Sequence, residues 1–369
     1  MINRIVLVLT LLATVISILG CGTKAKRERP FSMSEECPDI KIDYGLSLKD
    51  ANYLGVSGDK GFSLKGISAD LLVLEFLNVY CRRCRTQAPV MRELFHKIQR
   101  QPYLKDSVKI LALAVGNQEW EIKFFKKTFD VPYPMIPDAK FELSYRLGVL
   151  RSPFHLVIRK DAGKMIVAMR HQGILDSSST YLESLCNLLT QDASAIRKKK
   201  AKEPTEAIEP PEPVISEEEL FGLIKKGMGR NGWEILDIEE IKLKNTEIVY
   251  MGKLKRNSAT KNLFAKVVSR ITICDSCEDV HFIYLFDEKG KIFALVPIKL
   301  AKDGNRPWDE DDLQKTERRV VGRYIYESIG FDARLDAVST ATVTSAIVFD
   351  SLDRAAVFYH ELKKRGYMN

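Results

Sequence analysis

The chain reads as an α/β domain followed by a smaller α+β domain, and three features carry that expectation. Between about residues 71 and 190, apolar runs of strand length alternate with amphipathic segments, the order of a mixed sheet with helices on both faces. A block of charge and proline interrupts all periodicity at 193–215. Beyond it, five strand-like runs come first and helices last, as in an α+β domain. With 369 residues, 45% hydrophobic and 29% charged, there is material for two cores. The net charge of +8 is modest and spread out, so no nucleic-acid partner is expected.

Residues 1–20 carry Arg4 and then the apolar run Ile5–Leu19. That run is short for a membrane span but suits the core of a signal peptide. It ends Ile18-Leu19-Gly20-Cys21, which resembles a bacterial lipobox. The resemblance implies that Cys21 is lipidated and that 21–37 is a tether. Lys24, Lys26, Arg27 and Arg29 would oppose an uncleaved span with its N-terminus inside, the other reading of this segment. Either way the body faces an oxidising compartment outside the cytoplasm, where disulfides persist.

Leu71–Leu77 reads as a buried strand, and Val90, Met91, Leu94, Phe95 and Ile98 recur at helical spacing after it. Cys81 and Cys84 sit where that strand ends and the helix begins. The helix N-terminus, Arg82 and Arg83 all favour a thiolate at the first cysteine. The spacing lets the second sulfur close a disulfide. Glu75 shares a sheet face with Val73 and Leu77, so burial would raise its pKa and fit it to accept a proton from Cys84; otherwise it reaches solvent at a strand edge.

The rest of this domain, taken as 38–192, follows the same logic. Ile40–Ser47 and Asp50–Leu64 are expected to carry extra N-terminal strands. Val108–Val115 is a strand, Gln118–Phe129 a helix, and Phe141–Gly148 a short helix with a glycine cap. Prolines keep 131–138 extended. Phe154–Arg159 and Met165–Arg170 form a hairpin around Asp161-Ala162-Gly163, and Tyr181–Thr190 is the closing helix.

Four features in this order resemble the thioredoxin superfamily, in particular its TlpA/ResA-like membrane-tethered branch: Cys81-x-x-Cys84, Pro89 in the following helix, Glu75 six residues before Cys81, and Arg151-Ser152-Pro153-Phe154 before a strand. The resemblance implies a thioredoxin-like fold, a cis proline at Pro153 facing the cysteines, and thiol–disulfide exchange with protein thiols and disulfides. Cys81 attacks, Cys84 resolves, and Glu75 handles the resolving proton. No cofactor is needed for that chemistry. Tyr80 replaces the usual tryptophan, and Arg82-Arg83 replaces the usual pair between the cysteines.

In the second domain, taken as 216–369, Ser216 and Glu219 make a capping box. Strands are expected at 233–243, 247–255, 263–273, 280–286 and 292–300, and helices at 309–328 and 345–364. Cys274-Asp275-Ser276-Cys277 reads either as a second redox pair or as a disulfide closing a hairpin tip. Leu335–Ser345 places Asp336, Ser339, Thr342 and Thr344 at a helix start, a setting for a phosphate. The stretch resembles the Asp-x-x-Ser-Gly-Ala-Thr-x-Thr-Ser signature of FMN-binding domains in sodium-pumping and Rnf-type complexes, with Thr340 in place of the glycine. That resemblance implies FMN, attached through Thr342, and a membrane electron donor.

The sequence thus describes a lipid-anchored, extracytoplasmic thiol–disulfide oxidoreductase of a bacterial envelope, facing the periplasm or the outside. Two other readings stand beside it. One is a tethered assembly factor that keeps the fold without turnover; the other is a flavin electron carrier with secondary thiols.

Overall fold

The computed structural model describes residues 31–58, 60–149, 151–191, 214–229, 232–244, 247–274 and 277–368. The proposed signal, Cys21 and nearly all of the linker lie outside the described residues. The thioredoxin-like α/β domain is built on β3 (Leu71–Leu77). Every residue of β3 is buried, which explains why its sequence shows no alternation: helices and chain cover both faces. It pairs in parallel with β4 (Val108–Val115) and antiparallel with β6 (Phe154–Asp161). With β5 (Met135–Asp138) and β7 (Lys164–Gln172) the sheet order is β5-β4-β3-β6-β7.

One face holds the helices that bring in the cysteines. Leu71, Val73 and Leu77 pack with Met91, Leu94 and Ile98 of α2 (Arg82–Gln99). Ile122 and Phe125 of α4 (Glu119–Phe129) and Tyr181 and Leu185 of α6 (Ser178–Thr190) complete the layer. Pro89 sits inside α2, as the sequence required. The segment before β3 carries the expected strands in short form: β1 (Lys41–Ile42) pairs with β2 (Phe62–Ser63), with α1 (Leu48–Leu54) between them, and Glu36 bridges to Ile166. Ser47 Oγ accepts the Asp50 N–H at 3.1 Å, and Gly55 ends the helix at φ +68°, so capping chemistry decides the outcome. Helix α3 (Pro102–Ser107) leads into β4, and α5 (Glu142–Arg146) follows β5.

The second domain opens with α7 (Glu217–Met228), whose N-cap Ser216 accepts the Glu219 N–H. A five-stranded antiparallel meander follows: β8 (Glu234–Lys242), β9 (Ile248–Arg256), β10 (Ala259–Arg270), β11 (Val280–Asp287) and β12 (Ile292–Lys299). In β11, Ile283 and Leu285 face Ile224 and Met228 of α7. Phe282, Tyr284 and Phe286 face the other way, toward α10 (Thr342–Asp353) and α11 (Ala355–Lys364). The short strands β13 (Ala301–Lys302) and β14 (Arg306–Pro307) precede α8 (Glu310–Val320), and α9 (Ala333–Asp336) precedes α10. Helix α8 stops eight residues short of the expected end, where Gly322 turns at φ +91°. The closing helix is two helices divided at Arg354.

The domains share a core. One cluster of buried side chains runs from Leu72, Leu74 and Phe76 of β3 through Phe141 to Phe264, Phe282 and Phe349. Polar contacts surround it. Arg270 donates to Asp350 at 3.0 Å and to Tyr145 Oη, and its guanidinium lies 5.2 Å from the Tyr145 ring centre. Arg354 covers the same ring at 4.6 Å. Arg151 and Asp279 form an ion pair at 3.0 Å.

Candidate active site

Strand β3 delivers the chain to the cysteines through a turn fixed by two amides. Asn78 Nδ2 donates to the Val115 carbonyl at 2.7 Å, and its Oδ1 accepts the Tyr80 N–H at 2.9 Å. Val79 N–H donates to Asn117 Oδ1 at 2.9 Å. Cys81 is the N-cap of α2, with extended backbone, and Cys84 lies in its first turn. Both are thiols, and they are only 2% and 1% exposed. The N-terminal N–H groups and macrodipole of α2 favour negative charge at Cys81. Burial pushes the Cys84 thiol well above its ordinary value, and its hydrogen bond with Cys81 pushes it further. The two sulfurs are therefore chemically unlike.

Ser152 and Pro153, joined by a cis peptide, close the site from the start of β6. Cys84 Sγ donates to Ser152 Oγ at 3.4 Å, and Cys81 Sγ is 3.9 Å from the Ser152 carbonyl. The Pro153 carbonyl accepts from Gly173 N–H at 2.9 Å and Gln172 Nε2 at 3.1 Å, which ties the loop to the end of β7.

Glu75 lies in the same sheet layer at 1% exposure, so it does not reach solvent. Tyr133 Oη donates to Glu75 Oε2 at 2.8 Å. His155, fully buried and opposite Glu75 in the β3–β6 register, places Nε2 4.0 Å from Glu75 Oε1. Its ring packs between His171 and Tyr181, and neither ring nitrogen has a hydrogen-bond partner. Burial and the Glu75 carboxylate push the Tyr133 hydroxyl well above its usual value. The sequence marks Glu75 but not this cluster, because a lone strand histidine carries no local signal.

The second domain meets the site at 273–279. Ser152 and Cys274 form a parallel β-bridge. Ser152 N–H and Oγ both donate to the Ile273 carbonyl, at 2.5 and 3.1 Å. Arg151 Nη1 donates to the Cys274 carbonyl at 3.3 Å while Nη2 holds Asp279. Cys274 and Cys277 are joined as a disulfide. They pack in the same apolar cluster as Cys81 and Cys84. Asp275 and Ser276 lie outside the described residues.

The FMN-like stretch leads into α10, and its side chains differ in how the chain engages them. Asp336 is 1% exposed and paired with Arg319 at 2.5 Å. Thr344 Oγ1 donates to the Ala301 carbonyl at 2.7 Å, and Ser345 Oγ donates to the Ala341 carbonyl at 3.0 Å. Ser339 and Thr340 are exposed in a turn. Thr340 has φ +60°, a conformation open to glycine and resisted by a β-branched residue. Thr342, the expected attachment point, is half-buried at the start of α10. The fit to FMN is poor: Asp336 and Thr344 are committed to Arg319 and to the Ala301 carbonyl, and a side chain stands at 340 where glycine would let a phosphate approach, while Ser339 is exposed and Thr342 half-buried.

Among known proteins, the AhpC/TSA family matches residues 35–178. The thiol-disulfide oxidoreductase ResA of Bacillus thuringiensis subsp. konkukian is 25% identical over 182 residues, 49% of this chain and 94% of that protein. The thioredoxin-like protein YneN of Bacillus subtilis is 25% identical over 105 residues, 28% of this chain and 58% of that protein. A solved structure described as a thiol:disulfide interchange protein DsbE from Chlorobium tepidum aligns with a TM-score of 0.34 and 16% identity, covering 43% of this chain and 99% of that one. The N-terminal half accordingly has a thioredoxin-like α/β fold and is similar to ResA, and the match to the AhpC/TSA family ends before the second sheet.

Proposed function

We infer that the protein is a thiol–disulfide oxidoreductase acting on protein thiols and disulfides through Cys81 and Cys84. The observation that carries this reading is the unlike pair at the start of α2, both sulfurs set against Ser152. Cys81 attacks a substrate disulfide as the thiolate and forms a mixed disulfide. Cys84, held protonated by burial, gives up its proton and releases the substrate. Glu75 is the buried base within this layer, positioned by Tyr133 and flanked by His155. Pro153 and its neighbours line the groove for the substrate chain.

The same proposal extends to the rest of the chain. Residues 1–20 act as a lipoprotein signal, Cys21 carries the lipid, 21–37 is the tether, and 38–192, 193–215 and 216–369 are catalytic domain, linker and second domain. An extracytoplasmic, envelope-bound location is supported by the apolar N-terminal run and by the Cys274–Cys277 disulfide, which persists in an oxidising compartment. Among the described residues no helix is long and apolar enough to cross a membrane. A membrane electron donor would reduce Cys81–Cys84; no step is routed through flavin.

The test is capture. In the full chain, Cys84→Ala should hold a model protein disulfide as a stable mixed disulfide at Cys81, and Cys81→Ser should hold none. No capture by Cys84→Ala, together with undiminished reductase activity in Cys81→Ser, would sink the reading.

A further inference from the structure

We propose that the Cys274–Cys277 disulfide is the intrachain exchange partner of the Cys81–Cys84 dithiol, making the C-terminal domain a second redox station rather than a clipped loop. The proposal rests on the function inferred above for Cys81 and Cys84.

A disulfide that only closes a loop has no need of a dithiol beside it. Here the loop is presented to one. Ser152 is the shared element: its Oγ accepts from Cys84, its carbonyl faces Cys81, and its N–H and Oγ donate to Ile273. The main chain of Ile273–Cys274 thus lies along the residue preceding Pro153 as an added strand would, with backbone hydrogen bonds giving register. Arg151 clamps the loop twice, through the Cys274 carbonyl and the Asp279 carboxylate. Cys274 is 3% exposed and shares one apolar cluster with Cys81, Cys84 and Cys277. Water is excluded from all four sulfurs except at the half-buried Cys277.

The same contact explains why Cys81 and Cys84 are so little exposed. The exchange balances without any other reagent. The Cys81 thiolate attacks Cys274 Sγ, so a Cys81–Cys274 bond forms and the Cys274–Cys277 bond breaks, leaving Cys277 as thiolate. The Cys84 thiol passes its proton to Cys277 and attacks Cys81. The Cys81–Cys84 disulfide forms and Cys274 leaves as thiolate, to be protonated by the proton that Cys81 had released. Two electrons move from the first pair to the second, and the reverse sequence returns them.

The experiment uses the full chain carrying Cys84→Ala and Cys277→Ala. Mild oxidation should join Cys81 to Cys274 within one chain, seen as a cross-linked peptide in a non-reducing digest of monomeric protein. The second readout uses otherwise native protein: a small dithiol reductant should open Cys274–Cys277 about tenfold more slowly in Cys81→Ser than in the native chain. Equal opening rates overturn the proposal whatever the cross-link shows. Absence of the cross-link, while Cys84→Ala still captures an external disulfide, overturns the relay and leaves the oxidoreductase reading intact. Absence of both species removes the relay together with the reading beneath it.

Discussion

Ser152 and Cys274, 122 positions apart in sequence, are neighbours in a parallel β-bridge that brings the Cys274–Cys277 disulfide to the residue that both Cys81 and Cys84 contact. The bridge depends on the fold of both domains. Ser152 is placed by Pro153 leading directly into β6, and Cys274 by following β10.

The Glu75 cluster should separate the two halves of exchange. Glu75→Gln keeps the shape and the Tyr133 contact but removes the base. Resolution of the mixed disulfide should slow by about 10²-fold while the first attack at Cys81 changes little. Rapid-mixing kinetics on a fluorescent protein disulfide resolves the two steps. Equal slowing of both would assign Glu75 a packing role instead.

Loss of Tyr133 Oη should be felt as stability. Tyr133→Phe leaves a buried carboxylate oxygen without its 2.8 Å donor, at a cost of about 1–3 kcal/mol. Urea unfolding measures it, and an unchanged midpoint would show that His155 or water takes over.

Asp138 gives a pH dependence of defined sign. It is 4% exposed and accepts the N–H groups of Leu143 at 3.0 Å and Ser144 at 2.8 Å. Burial outweighs both bonds and raises its pKa from 3.8 to about 6. The folded state therefore prefers the neutral acid. Its contribution to stability is fully present below about pH 4 and is lost as pH rises through about 6, to a total of about 3 kcal/mol. The stability difference between native protein and Asp138→Asn should fall across that window and then level off. A difference that grows with pH would reverse the assignment.

Arg270 couples the domains. Arg270→Ala strands Asp350, which is 8% exposed and keeps only Arg354 at 2.6 Å, and it uncovers Tyr145. The expected loss is about 2–3 kcal/mol, below the full cost for a wholly buried pair because Arg354 remains. Looser docking should also speed alkylation of Cys81. Unchanged alkylation would mean that the Ser152–Ile273 contact holds without it.

The second domain should carry no flavin. Denatured full chain on a gel is expected to show no flavin fluorescence, because Thr340 crowds the turn and Asp336 and Thr344 are committed to Arg319 and Ala301. A fluorescent band that disappears in Thr342→Ala would overturn this.

Much of the fold was legible because local chemistry and final structure agree. The strand at 71–77, the cysteine spacing, Pro89 and the loop at 151–154 are each short-range signals, and together they located the sulfurs. Ser47 and Asp50 also form a short-range signal, a helix cap, which the expectation of strands over this segment passed over. The Glu75–Tyr133–His155 cluster was not legible, since its members come from three strands or loops whose register no single stretch encodes. The junction of the two cysteine pairs was hidden for the same reason. Its contacts join residues more than 100 apart, which no single stretch of sequence encodes. The hydroxyls of the FMN-like stretch read identically in sequence whether they face a ligand or the backbone, and the structure turns Thr344 to the Ala301 carbonyl.

The central claim is that Cys81 and Cys84 are one reversible two-electron couple. The direct measurement equilibrates the full chain in a series of glutathione buffers, quenches with acid, alkylates and maps the peptides. The account predicts that both cysteines lose reactivity together along a single two-electron curve and regain it on return to reducing buffer. Cysteines that stay alkylatable in the most oxidising buffer, or that pair with glutathione alone, would contradict it.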